Sequence, residues 1–172
     1  DLPGHFTAPD TVEWLQLVLD SYRQAFRKEL LSRSGSLEDQ AREAARCPFS
    51  VISHDFLRNP DEPTYCYGNT VVLNAFEYSW EEFTKLPSWK CTATEDERAS
   101  RQRYLDSTTG EGGAPSSGTY NGVRVTKTGK LFEIRGVTLW DVKGRDGSVV
   151  GQAATYQEAV PLGVTKASTL EL

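Results

Sequence analysis

The stretch that most constrains this chain runs from Pro63 to Phe83, PTYCYGNTVVLNAFEYSWEEF. Thr64–Tyr67 reads as a short aromatic strand, and Gly68-Asn69 breaks it and opens a helix. Apolar residues then recur at Val72, Leu73, Phe76, Trp80 and Phe83, close to helical spacing. Ser79 with Glu82 three residues on is a capping-box start for a second short helix. The chain must therefore pass from a strand into two short helices through one tight corner.

Upstream, Asp10 with Glu13 makes another capping-box pattern and opens a long helix to about Leu31. Leu15, Val18, Leu19, Tyr22 and Phe26 form its stripe, with Arg23, Arg27, Lys28 and Glu29 off it. Docking on its own sheet is the simpler account of that stripe. A flanking dimerisation helix, with Leu15, Val18, Tyr22 and Phe26 as its interface, is the sharper one. Ser36–Arg46 is a weaker helix whose only large apolar residue is Leu37, which suggests a solvated connector. Pro48 ends it and Phe49–Ile52 begin the first strand, with His54 and Asp55 at its end. That pair invites a catalytic reading, but no activatable nucleophile lies nearby in sequence. Asn59–Pro63 (NPDEP) is a turn into the second strand.

Downstream, Thr94 caps a polar helix with Glu97 at its third position, running to about Asp106. Its arginines, Arg98, Arg101 and Arg103, read as a solvated face, with an anion site as the lesser alternative. Gly110–Gly118 (GEGGAPSSG) is a low-complexity loop expected to be mobile. A β-meander follows. Tyr120–Lys127 is a strand with Val123 and Val125 on one face and Arg124 and Thr126 on the other. Thr128-Gly129-Lys130 is a hairpin turn. Leu131–Val142 is a long strand in which Phe132, Ile134, Trp140 and Val142 are expected to share a face. Gly136 interrupts its alternation and marks a bulge or a close backbone approach. Val149–Tyr156 is the last strand, and beyond Pro161 the tail has no partner signal.

Two strands, a helical middle and three antiparallel strands are the order of a PAS-type fold. The expectation is an α+β, five-stranded antiparallel sheet with short helices on one face and an N-terminal flanking helix. The division is 1–48 as a helical extension, 49–160 as the PAS-like domain and 161–172 as a tail. In that arrangement Phe76, Trp80 and Phe83 face Phe132, Ile134 and Trp140. Large aromatics usually fill space, so a packed core is the simpler outcome. If Gly136 leaves a gap beneath the helices, Arg135 or Gln152 at the rim would orient a small aromatic or acidic ligand.

At 172 residues, 38% hydrophobic and 25% charged, this is one folded domain. A formal charge of −5 argues against bulk nucleic-acid binding, and no apolar run is long enough to span a membrane. The expected partners are a small molecule, a protein partner or a second copy of the chain, with no nucleic acid and no membrane. Cys47, Cys66 and Cys91 are odd in number and lack metal-like spacing, which fits free thiols in a reducing compartment. His5 and His54 add no metal pattern. The chain starts at Asp1 and contains no Met, as a processed product would. The expected location is intracellular and soluble, or the chloroplast if a transit segment has been removed.

Three strings carry a specific resemblance: LNAFEYSWEEFTKLPS, ATEDERASRQR and GVRVTKTGKLFEIRGVTLWDVKGRDGSVVGQAATY. They are similar to the MEKHLA domain family over Pro63–Tyr156, with GQAAT (Gly151–Thr155) the most specific element. That family resembles PAS domains. It occurs as short proteins in bacteria and photosynthetic organisms, and at the C-terminus of plant class III homeodomain-leucine zipper factors. There it is thought to sense a signal and restrain dimerisation. The chain departs from the pattern at Trp89, where Arg usually follows LPS, at Asp141, where Asn usually follows the strand Trp, and in the loop Glu111–Gly118.

The resemblance implies a sensory or regulatory domain binding a small molecule or a protein. A filled-core interaction or dimerisation module is the alternative, and a small cone-fold hydrolase or isomerase a minor one. No catalytic residue and no cofactor is expected. A flavin-adduct PAS domain needs Cys in an Asn-Cys-Arg context, and neither Asn69 nor Asn74 is followed by Cys. A haem PAS domain needs a helical His, and neither histidine lies in the helical middle. Gly110–Gly113 lacks the Lys and Ser/Thr of a phosphate loop.

Overall fold

A computed structural model describes residues 1–108 and 116–166 of the chain. A 3-10 turn (Gly4–Thr7) leads into helix α1 (Pro9–Phe26). Pro9 occupies the first turn, where its missing N–H has no helical partner to lose. Asp10 lies inside that turn, so the expected Asp10–Glu13 cap is not formed. The helix stops at Phe26, short of Leu31, because Arg27 turns left-handed (φ 58°) and its N–H bonds back to the Arg23 carbonyl.

Helix α2 (Leu37–Arg46) starts with a reciprocal cap between Ser36 and Asp39. It is not a solvated connector, since Gln40, Ala41, Ala44 and Ala45 are buried. The three alanines join the cluster formed by Phe6, Leu15, Val18 and Leu19. Leu37, its one large apolar residue, is exposed. A burial face made of alanine lets two helices approach closely, and a search for bulky apolar residues does not see it.

The sheet then forms in order: β1 (Ile52–Asp55), β2 (Thr64–Gly68), β3 (Ser116–Val125), β4 (Lys130–Lys143), β5 (Val149–Thr155) and β6 (Glu158–Thr165). Between β2 and β3 lie α3 (Thr70–Phe76), α4 (Trp80–Phe83), a second 3-10 turn (Ser88–Cys91) and α5 (Glu95–Thr108). The strand order is β2-β1-β5-β4-β3, all antiparallel, with β6 also pairing β4. β1 begins only at Ile52 rather than at the expected Phe49, and it ends with His54 and Asp55 as its last two residues. Of the loop expected to be mobile, residues 110–115 lie outside the described residues, and β3 already runs from Ser116.

The first part of the segment read as a partnerless tail, up to Thr165, belongs to a sixth strand, and residues 167–172 lie outside the described residues. β4 is long enough to carry β5 along Thr138–Lys143 and β6 along Lys130–Arg135 on the same edge. β6 therefore continues β5 after a break at Tyr156-Gln157, where the Gln157 N–H still bonds to the Arg135 carbonyl. Opposite this break Gly136 sits at φ +65°, a conformation that favours glycine.

That bulge decides which side chains face where. Phe132 and Ile134 point to the inner face, toward α3 and α4, and the extra residue moves the next inner positions to Val137 and Leu139. Trp140 and Val142 consequently point to the outer face, where they pack with α1. The expected shared face of Phe132, Ile134, Trp140 and Val142 is thus split in two. The sheet is covered on both sides: α3, α4 and α5 inside, α1 and α2 outside. Leu15, Val18, Leu19 and Tyr22 are all buried, each contributing about 1.5–3 kcal/mol by removal from water. The N-terminal helix is a layer of this fold.

Candidate functional site

Between the inner sheet face, α3 and α5 lies a cavity of about 60 Å³. Ile52, Phe76, Ile134, Val137, Leu139 and Ala154 give it apolar walls. His54, Gln152, Arg101, Arg124, Tyr120 and Tyr156 supply the polar part.

His54 and Gln152 are register partners across β1 and β5, so their side chains emerge together on the inner face. His54 Nε2 lies 3.1 Å from Gln152 Oε1 and donates to it. Burial, reinforced by the nearby Arg101 charge, pulls the His54 pKa down to about 3. The ring is therefore neutral here, while the unfolded chain protonates it near pH 6.5. Stability from this residue is complete above that value and falls as pH drops from about 6.5 toward 3. Between pH 6.5 and pH 5 the loss amounts to about 2 kcal/mol. Urea unfolding at pH 7 and pH 5 is expected to show a smaller pH loss in His54→Gln by that amount; equal slopes would mean that His54 is hydrated.

Arg124 enters from β3. It pairs in register with Phe132, an inner-face residue, and so turns inward while Val125 packs with Leu131 on the other side. Its Nη1 donates to the Val123 carbonyl at 3.0 Å, and the guanidinium lies 5.8 Å from the Tyr120 ring centroid. Arg101 comes from α5, whose positions 97, 101 and 104 form one helical stripe facing the sheet. Glu97 accepts from the Val123 N–H at 3.1 Å. Tyr104 stacks on Tyr120 with centroids 4.3 Å apart and donates its hydroxyl to the Val137 carbonyl. These anchors carry Arg101 inward, leaving it 7% exposed. The solvated-face expectation holds for Arg98 and Arg103 and fails for Arg101. Arg98 covers the Trp89 ring at 4.1 Å.

Three buried polar groups around the cavity have no hydrogen-bond partner of good geometry: Gln152 Nε2 and the Tyr120 and Tyr156 hydroxyls. Tyr65, by contrast, is satisfied by Cys91 Sγ at 2.9 Å and the Ser88 carbonyl at 3.3 Å.

The sequence candidates divide. Phe76, Phe83, Phe132 and Ile134 meet in one inner cluster, with Phe76 edge-on to Phe132 at 5.0 Å. Trp80 does not join them; it stacks on His5 at 4.4 Å and packs edge-on against Phe6 and Tyr67. Trp140 lies on the outer face. Gly136 leaves no gap, since a Cβ there would stand 2.6 Å from Gln157 Cδ. Its N–H bonds to Asn121 Oδ1 at 3.0 Å. Arg135 is paired with Glu133 and Glu158 away from the cavity. Gln152 does line it. Leu15, Val18 and Tyr22, read as interface candidates, are buried, and Phe26 packs beside them against Trp140. The residues missed are Arg101, Arg124, His54, Tyr120 and Tyr156. The alternation of Val123, Arg124 and Val125 did place Arg124 opposite the valines, but alternation alone does not say which of the two faces is enclosed.

Among the described residues no group of three or more His, Cys, Asp or Glu side chains could hold a metal. No helix among them is long and apolar enough to cross a membrane. The cavity does not fit a flavin or a haem: about 60 Å³ accommodates only about four waters. Among the described residues no cysteine lines it, and the one histidine that does is tied to Gln152.

The MEKHLA domain family matches residues 12–160, a span that takes in α1 and α2 as well as the sheet. No curated protein matches the chain. Among solved structures, the PAS domain of a protein from Colwellia psychrerythraea is similar with a TM-score of 0.56 at 14% identity, over 76% of this chain and 98% of that one. A light-oxygen-voltage domain studied with a flavin analogue has a TM-score of 0.55 at 12% identity, over 77% and 93%. The Rhodobacter sphaeroides LOV protein has 0.54 at 13% identity, over 74% of this chain and 66% of its own length. At such identities the likeness is one of fold.

Proposed function

The chain belongs to the MEKHLA domain family, and from that premise we propose that it is a non-catalytic sensory or regulatory domain that reads a small molecule held between the inner sheet face and α5. One observation carries the reading. The cavity keeps three unpartnered buried polar groups beside an apolar wall. A core packed only for stability satisfies such groups or dispenses with them. Arg101 and Tyr104 of α5 belong to the walls, so a bound molecule would alter how α5 rests on β3 and β4. That is a route from occupancy to an outward change.

The test is ligand-observed and methyl NMR with a mixed set of small neutral and charged molecules. Binders are expected to shift the methyl signals of Ile52, Ile134 and Val137. Ala154→Leu, which fills the cavity from β5, is expected to abolish those shifts while changing the melting temperature by only a few degrees. If no molecule moves these methyls, or if Ala154→Leu binds like the parent, the domain is a filled-core interaction module instead.

A further inference from the structure

The charge pattern of this cavity names a class of ligand, an inference that rests on the sensory reading above. Arg101 and Arg124 line it and are 7% and 4% exposed. A buried guanidinium is costly unless an acid and further hydrogen bonds compensate it. Arg124 has the Val123 carbonyl and the Tyr120 ring. Arg101 has no hydrogen bond or ion pair with any described residue.

Among the described residues no Asp or Glu lines the cavity. Asp55, at the end of β1, is bound by Arg58 Nε at 2.9 Å and caps the N–H groups of Leu57 and Arg58. Glu97 is engaged by the Val123 N–H. Asp141 stands across from Gln152 in the β4–β5 register and is not among the walls. His54 stays neutral and fixes Gln152 by its Oε1, which leaves Gln152 Nε2, a pure donor, without a partner. The Tyr120 hydroxyl, beside Arg124, and the Tyr156 hydroxyl, beside Ser50, find no acceptor among the described residues either. Among the described residues the site lacks an anionic acceptor, and a carboxylate is acceptor-only.

We propose that the cavity takes a short-chain organic monocarboxylate, its carboxylate received by Arg101, Arg124 and Gln152 and its hydrocarbon end among Ile52, Ile134 and Val137. A volume of about 60 Å³ limits the guest to a few non-hydrogen atoms. The apolar walls select an organic acid over an inorganic anion, which would be desolvated on that side without return.

The experiment titrates the full chain with sodium propionate, with propionamide as the neutral isostere and with inorganic phosphate, at fixed pH and ionic strength. Propionate is expected to raise the melting temperature and shift the Ile52, Ile134 and Val137 methyl signals, with the other two inert. Arg101→Met is expected to weaken propionate binding at least tenfold. It is also expected to raise the melting temperature of the ligand-free protein, because an uncompensated buried charge is removed. Arg101→Lys restores part of the binding. Arg124→Met gives the same loss of affinity, and Arg101→Met alone decides the matter if that variant fails to fold. Equal action of propionamide or phosphate overturns the inference, as does parental propionate affinity in Arg101→Met or a ligand-free melting point well below the parent. Neutral molecules that shift these methyls where propionate does not would leave the sensory cavity standing and remove only its anion selectivity.

Discussion

Trp140→Ala is expected to destabilise the protein by about 3–5 kcal/mol, among the largest losses a single truncation gives. Trp140 is fully buried where α1 crosses the outer face of β4. Tyr22 and Phe26 meet it edge-on at centroid distances of 4.9 Å and 6.2 Å. Its Nε1 donates to the Val18 carbonyl at 3.1 Å, which pins the helix along as well as against the strand. Removing the indole opens a cavity between two layers that cannot both collapse into it. The melting temperature should fall by about 6–20 °C, at roughly 2–4 °C per kcal/mol for a chain of this length. Trp140→Phe keeps most of the volume and loses the hydrogen bond, and about 1–2 kcal/mol is expected. Thermal or urea unfolding of the three proteins decides it. A Trp140→Ala protein that melts with the parent would mean that α1 is not part of the cooperative unit.

Asn69→Ala is expected to cost about 3 kcal/mol or more, although it removes only a small polar side chain. Asn69 is fully buried at the corner between β2 and α3. Its Oδ1 accepts from the Val51 N–H at 3.1 Å and caps α3 at the Val72 N–H. Its Nδ2 donates to the Phe49 carbonyl at 2.8 Å and the Ala44 carbonyl at 3.1 Å, with Cys47 Sγ at 3.3 Å. One amide thus ties the end of α2, the approach to β1 and the start of α3. Alanine would leave the buried Val51 and Val72 N–H groups without this acceptor and the Phe49 and Ala44 carbonyls with only the Cys47 thiol to share, and these groups carry the cost. Asn69→Asp tests the donor side alone. It keeps the acceptor for Val51 but puts a carboxylate against two carbonyls, so it should destabilise at least as much as alanine. A change below about 0.5 kcal/mol in urea unfolding of either variant would show that water replaces the amide.

Much of the framework is legible in the residues themselves. Gly68-Asn69 between an aromatic strand and an amphipathic helix demands a corner, and Asn69 is one of the few side chains that can cap the helix there. Ser79 with Glu82 closes a reciprocal cap in the structure as its spacing requires. Thr94 caps α5 through the Glu97 N–H. These are local statements: each involves groups within one turn of one another, so spacing alone determines whether they can meet. The alternation of the last strands is local too, and together with that corner it is enough to set the PAS-type order of elements.

What the tertiary structure decided is everything that depends on which side of the sheet a residue reaches. One left-handed glycine at 136 shifts the alternation of β4, and Trp140 moves from the expected pocket to the α1 interface. β6 is a strand because β4 is long enough to offer it an edge, a condition set by another segment. α2 is buried because its alanines find a partner surface in the Phe6–α1 cluster. Arg101 reads as a solvated charge and Arg124 only as a residue opposite the valines, because polarity predicts exposure only where nothing encloses the group. Their inward positions come from the Tyr104–Tyr120 stack and from pairing with Phe132. A cavity is made by residues far apart along the chain. Spacing says which of them lie on one face, and only packing says which faces close over one another.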